Sequence, residues 1–150
     1  MCDFTHLHVH TDASPDGLRP VAELVSFAAK LGYSELAMTD HGTFANAIAF
    51  YTACAEHKIK PIMGLEAYML WNGKRHHITL NARSYVGFKN LVAMSNAAHA
   101  NWTSGYPLMT PDIMSRYAGP SSDVALFTGC PASPIHEGSD SDAMAFVGSM

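Results

Sequence analysis

The feature that most narrows the fold of this chain is an alternation of short apolar runs with stretches of helical periodicity. Glu35 to Thr39, Lys60 to Leu70 and Asp123 to Thr128 are dense in apolar residues, as strands buried on both faces are. Between them, Val21, Leu24, Val25, Ala28 and Leu31 recur at helical spacing, with Pro20 placed to open the helix and Gly32 to cap its end. A second helix is expected from Phe44 to His57 with Ile48, Tyr51 and Ala55 on one face, and a third from Tyr85 to Ala100. Phe4 to His10 alternates and ends in the turn-forming stretch Asp12 to Gly17, which predicts a first strand and loop. Asn72-Gly73 predicts a turn into a strand over His76 to Ala82. Asn101 to Met109 reads as a linker whose Trp102, Tyr106 and Pro107 could stack bases but are more often of the kind that packs a loop down. Thr110-Pro111 then caps a short helix ending near Tyr117. Pro131 to Asp142 reads as a long loop before an apolar start at Ala143 to Val147. Strands and helices in this rhythm predict an α/β chain built on a parallel sheet or barrel.

Composition limits what such a fold could do. With 150 residues, 48% hydrophobic and 15% charged, the chain suits one domain with a real core and not a disordered tail. A formal charge of -4 excludes a broad basic surface, so any contact with DNA must be local or carried by metal. Cys2, Cys54 and Cys130 form no CxxC pair and are odd in number, which argues against a disulfide framework or zinc ribbon; Cys54 is expected in the core. The N-terminus lacks a signal-peptide pattern and no apolar run reaches membrane length, so a cytoplasmic, membrane-free setting is expected. The one excess is histidine, nine in all. Imidazole is the commonest metal ligand, so composition already points to metal.

Placement sharpens that. His6, His8 and His10 stand at alternate positions of the first predicted strand, which puts all three on one face, with Asp12 and Asp16 close behind. A lone histidine of this kind is as often a hydrogen-bonded surface or core residue, but two or three together favour a metal site. His41 follows the second predicted strand at its C-terminal end, where parallel α/β folds place their sites. Glu66 lies inside an apolar strand, where a carboxylate is rarely tolerated unless it is paired or ligating. His77 starts the next strand and Cys130 follows the last, so five strand ends each present one ligand-capable side chain.

The stretch Phe4-Thr5-His6-Leu7-His8-Val9-His10-Thr11 resembles the opening motif of the PHP (polymerase and histidinol phosphatase) domain family, and Leu36 to Thr43 resembles its second. The likeness runs on through Pro61 to Tyr68, His77 to Ala82, Gly87 to Leu91 and Thr128 to Cys130, in the version that begins bacterial DNA polymerase III α subunits. It covers residues 3 to 130. The resemblance implies a distorted (βα)7 barrel of TIM type, with divalent ions at the strand mouth acting on phosphate esters. Carried over position by position, His8 and His10 match the first ligand pair and Asp16, or else Asp12, the ligand after them. His41 matches the second-motif histidine, Glu66 a bridging carboxylate, His77 the next histidine, and Cys130 the position the polymerase branch fills with cysteine. Catalysis is expected to rest on Glu66 and His41; His6 has no assigned role. The mixed nitrogen, oxygen and sulfur donors suit zinc or manganese, with magnesium a further candidate.

The family's final Asp-x-His motif has no counterpart, since His136 is followed by Glu137. The implied fold is therefore a partial barrel truncated at its C-terminus, with residues 1–150 the N-terminal part of a PHP domain; a whole parallel barrel takes about 250 residues. Three functions are compatible with this. One is a metal-dependent phosphoesterase or 3′–5′ exonuclease module acting on DNA or another phosphate ester, joined to the rest of a polymerase α subunit. The others are a catalytically silent structural module and a free-standing histidinol-phosphatase-like enzyme. Polymerase chemistry itself is not expected in this segment.

Overall fold

In the computed structural model, which describes residues 4–119 and 121–148, helix α1 spans Val21–Lys30, strand β1 Glu35–Met38, helix α2 Ala47–Glu56 and strand β2 Lys60–Trp71. Asn72 and Gly73, both at positive φ (48° and 72°), turn the chain directly into β3, Lys74–Ala82. Helix α3 is Tyr85–Ala100, followed by β4 Trp102–Thr103, β5 Tyr106–Met109 and α4 Pro111–Tyr117, then β6 Val124–Phe127, α5 Pro134–Glu137 and α6 Asp140–Gly148.

The twelve-residue β2 is the spine. On one edge it pairs in parallel with β1 through residues 60–63 and with β5 at Tyr68 and Met69; on the other it pairs antiparallel with β3 from Gly64 to Trp71. Strand β3 in turn pairs antiparallel with β6, and β4 with β5. The sheet is mixed, where the strand–helix rhythm predicted a parallel one. A two-residue turn leaves no room for a crossover helix, so β3 must return antiparallel.

Alternation along β2 and β3 divides the sheet's two faces. Leu65, Ala67, Met69, Ile78 and Leu80 face α3 and α4, where Leu91, Met94, Ala98 and Met114 complete one core with Phe146. Each large side chain fully buried there stabilises the fold by roughly 1.5–3 kcal/mol. A second core joins α1, α2 and β1 through Val25, Leu36, Met38, Phe50 and the buried Cys54. Residues on the remaining face, Glu66 and Tyr68 on β2 against Thr79 and His77 on β3, are left to build the site.

Several expectations need correction. The segment before Thr11 is not a regular strand. It lies parallel beside β1, with Ala37 N donating to His6 O at 3.0 Å and Thr39 N to Val9 O at 2.8 Å. Three residue steps on its side span two on β1, and the chain bends at His8. Helix α2 starts later than Phe44 and buries Ala47, Phe50, Ala53 and Cys54, while Ile48 and Tyr51, expected on its packed face, are 82% and 60% exposed. The helix is apolar almost all round, so periodicity alone could not choose the face. The Asn101–Met109 linker is a hairpin, turned by Ser104 and Gly105 at positive φ. The expected loop from Pro131 contains α5, and α6 begins at Asp140.

Candidate metal centre

Glu66 is 1% exposed and sits in the middle of β2, on the face turned away from the α3 core. A carboxylate there needs donors, and histidines from three other parts of the chain supply them. His8 Nε2 lies 2.8 Å and His10 Nε2 2.7 Å from Glu66 Oε2, His41 Nε2 lies 3.4 Å from the same oxygen, and His77 Nδ1 lies 3.2 Å from Oε1. Asp16 bridges on the outer side, 2.8 Å from His10 Nδ1 and 3.2 Å from His41 Nε2. Local geometry explains how each arrives. The bend at His8 breaks the alternation, so His6 turns away to Tyr33 (Nε2 to Oη 3.0 Å) while His8 and His10 turn inward; the three do not share a face. His41 reaches the site because the chain leaving β1 bridges Glu66 in parallel, and His77 because it stands opposite Tyr68 in the middle of β3. The donors thus gather where β2 passes the end of β1; Glu66 lies inside its strand as expected, and His77 in the middle of β3 and not at its start.

A scaffold that sequence reading missed holds this loop-borne half of the site. Asp40 is fully buried and accepts from Thr11 N (2.6 Å), Thr11 Oγ1 (2.7 Å) and Ser14 Oγ (3.1 Å). The Ser14 hydroxyl accepts in turn from His41 N at 2.8 Å. One carboxylate therefore ties the loop carrying His10 and Asp16 to the turn carrying His41. Asn46 adds a clamp, donating to Thr11 Oγ1 and Asp12 Oδ1, which places Asp12 on this scaffold and outside the histidine cluster. On the other flank Gly64 has no side chain to clash with Asn81, whose amide donates to Leu7 O at 2.9 Å; a Cβ at Gly64 would collide with Asn81 Oδ1. An Asp directly before His41 was the available signal, but Thr39-Asp40-His41-Gly42 reads as a turn, where Asp is commonplace.

Electrostatics follow from this packing. Burial alone would raise the Glu66 pKa, but the hydrogen bonds from His10, His77 and His8 and the charge of His41 outweigh it and hold the carboxyl far below its usual range. Burial opposes the charge on His10 too, yet Glu66 and Asp16 together raise its pKa. For His41 burial prevails and lowers the pKa, with the His10 charge acting the same way against the pull of Glu66 and Asp16. Asp16, though desolvation pushes it up, is held below normal by the charges of His10 and His41.

The donor set fits divalent metal. His8 Nε2 and His10 Nε2 face each other at 3.2 Å while both point at one oxygen of Glu66. Two imidazole lone pairs and a carboxylate converging on one point are what a cation satisfies. Three groups of donors, each mutually within 4.8 Å, overlap here: His8, His10 and Glu66; His10, Asp16 and His41; His41, Glu66 and His77. Cys130 lies outside these triads, its Sγ 3.8 Å from His77 Nδ1, with a thiol pKa raised by burial. A cavity of about 430 Å³ opens beside His8, His10 and Asp16, with Arg19 on its wall. Among the described residues no helix is long and apolar enough to cross a membrane.

The PHP domain family model matches residues 6–139. The DNA polymerase III α subunit of Borreliella burgdorferi is 34% identical over 127 residues, that of Campylobacter jejuni 33% over 127 and that of Aquifex aeolicus 33% over 132. These alignments take in 77%, 79% and 77% of this chain and 11% of each relative, so the chain spans about a tenth of the length of the relatives it matches. Among solved structures, an amidohydrolase from Chromobacterium violaceum, with bound sulfate and no metal, is similar with TM-score 0.53 and 25% identity, covering 65% of this chain and 34% of that one. A Bifidobacterium adolescentis protein provisionally described as a metal-dependent phosphoesterase shares the fold over 97% of this chain and 74% of its own, with TM-score 0.61 and 15% identity. The buried glutamate and the histidines around it lie within the matched span, and the chain belongs to the PHP domain family.

Proposed function

We propose that this chain is a metal-dependent phosphoester-hydrolysing module, acting on nucleotide phosphodiesters such as a DNA end, as part of a polymerase α subunit. The observation that carries this reading is the buried Glu66 carboxylate shared by overlapping triads of histidine and carboxylate donors. Zinc or manganese suits the imidazole-rich set, with magnesium less well matched. Held by these residues, such ions would activate a water at neutral pH and neutralise phosphoryl oxygens. The chain's own residues do the rest. Glu66 offers one oxygen to His8 and His10 and the other to His77, so its position fixes the spacing of both flanks. His41 turns its Nε2 toward both Asp16 and Glu66, while Asp16 orients His10 through Nδ1. The cavity beside His8 leaves room for a substrate on the open side. A family likeness to polymerase subunits and a shared fold with a protein described as a phosphoesterase support the substrate class.

The test is metal titration of chelator-stripped protein, followed by release of nucleotide from single-stranded DNA and of phosphate from a small ester. Activity should appear with Mn²⁺ or Zn²⁺, vanish with chelator, and fall by roughly 10- to 100-fold or more in Glu66→Gln. Turnover that survives chelation would overthrow the mechanism. A silent structural role has one observation in its favour, an apolar groove bordered by Leu7, Ile48, Tyr51, Tyr85 and Phe127. Metal uptake without hydrolysis under any metal would establish that reading instead.

A further inference from the structure

The site face of the sheet does not stop at the histidines. Opposite pairs in the β2–β3 ladder run from Glu66 and Thr79 to Tyr68 and His77 and then to Leu70 and Arg75, so Arg75 stands on the same face one pair beyond. Tyr68 stacks on His41, ring centroids 5.4 Å apart and 13° from parallel, and meets His77 edge-on at 5.2 Å. Tyr106, from the β4–β5 hairpin, packs against Tyr68 at 4.8 Å. The Arg75 guanidinium lies 3.7 Å from the Tyr106 ring centroid and 5.7 Å from that of Tyr68. Tyr106, a residue of the expected linker, is thus part of a wall that begins at the metal centre and ends in a cation.

Arg75 is exposed, yet no carboxylate among the described residues lies within ion-pair distance of it, in a chain of net charge -4. A lone surface arginine would scatter over many rotamers. Stacked on an aromatic ring it is held flat, with its edge donors free and matched to the paired oxygens of a phosphate. Covering Tyr106 explains the stacking but not why a cation is left without a counter-ion beside Tyr68, whose ring stacks on His41 of the site.

We propose that Arg75, held on Tyr106, recognises a second phosphate of the substrate, one nucleotide along from the phosphate at the Glu66–histidine cluster, with the linking nucleoside lying along Tyr68. This rests on the phosphoester reading above and adds to it a substrate preference. The site would select a strand carrying consecutive phosphates over a single phosphate ester.

Binding, not turnover, decides it. Calorimetric titrations of the Mn²⁺-loaded chain would use thymidine monophosphate and the 5′-phosphorylated thymidine dinucleotide, with metal content and melting temperature measured for each variant. The dinucleotide should bind about 10-fold or more tighter than the mononucleotide, the worth of one charge-assisted hydrogen-bonded contact. Arg75→Ala should abolish that difference while leaving mononucleotide affinity within about 2-fold. Arg75→Lys should recover only part of it, because an ammonium lacks the planar fork. Tyr106→Leu, which keeps the charge but removes its platform, should also weaken the dinucleotide alone. Equal affinities in the wild type, or an equal loss of both ligands in Arg75→Ala, would overturn the assignment while leaving the phosphoester reading intact. A wild-type chain that holds Mn²⁺ and binds neither nucleotide would remove both.

Discussion

Asp40 lies where water does not reach, and three donors from Thr11 and Ser14 satisfy its side chain there. Replacing it with asparagine preserves the shape but turns one acceptor into a donor facing a donor. That change should cost about 1–3 kcal/mol, the usual penalty for a buried unsatisfied group. Because the same carboxylate ties the His10 and Asp16 loop to His41, Asp40→Asn should also weaken metal binding by roughly 10-fold or more. Thermal melts of the stripped protein and metal titrations measure the two effects separately. A variant that binds metal like the wild type would show that the loop holds itself. The ligand types around Glu66 could be read from spacing, since a carboxylate in an apolar strand stands out. Asp40 could not, because its importance lies in burial and partners, and neither is written in a Thr-Asp-His-Gly run.

Helix α3 shows how elements are tied together. Ser84 caps it, accepting from Val86 N at 3.1 Å and Gly87 N at 3.3 Å, and donates to Asp123 Oδ2 at 2.7 Å just ahead of β6. Gly87 lies so close that an added Cβ would strike the Asp123 carbonyl. Ser84→Ala should therefore destabilise by roughly 1 kcal/mol as a lost N-cap. Gly87→Ala should cost more, because backbone must move to admit the methyl. Chemical denaturation of both variants checks the order, and a Gly87→Ala protein as stable as the parent would refute the close approach. The helix itself was legible from the chain, as were α1, β2 and the Thr110 cap of α4, because periodicity and capping residues act locally. The packed face of α2 was not, since an almost uniformly apolar helix gives periodicity nothing to sort.

Across the whole molecule the sheet is open. Strand β6 pairs on one edge only among the described strands, and between it and the segment before Thr11 lies an apolar groove of about 700 Å³ bordered by Leu7, Ile48, Tyr51, Tyr85 and Phe127. An unpaired edge beside exposed apolar surface invites pairing with another chain. At micromolar concentrations the 150-residue chain should self-associate through this face, and Ile48→Lys with Phe127→Lys should reduce it without loss of metal. Sedimentation velocity over a concentration series tests this; a monomer at every concentration would contradict it.

The sequence by itself determined the α1 and α3 helices, the long strand β2, the family and the residue types that could bind metal, because these depend on local periodicity and on side chains whose chemistry is unusual for their surroundings. Only the tertiary structure decided that His6 faces Tyr33 while His8 and His10 face Glu66, that Asp12 serves the scaffold and Asp16 the cluster, and that the sheet is mixed. Those choices turn on one bend at His8, one two-residue turn at Asn72-Gly73 and the burial of Asp40. Each is settled by which hydrogen bonds the packed molecule can satisfy at once, a condition that no segment of the chain meets alone.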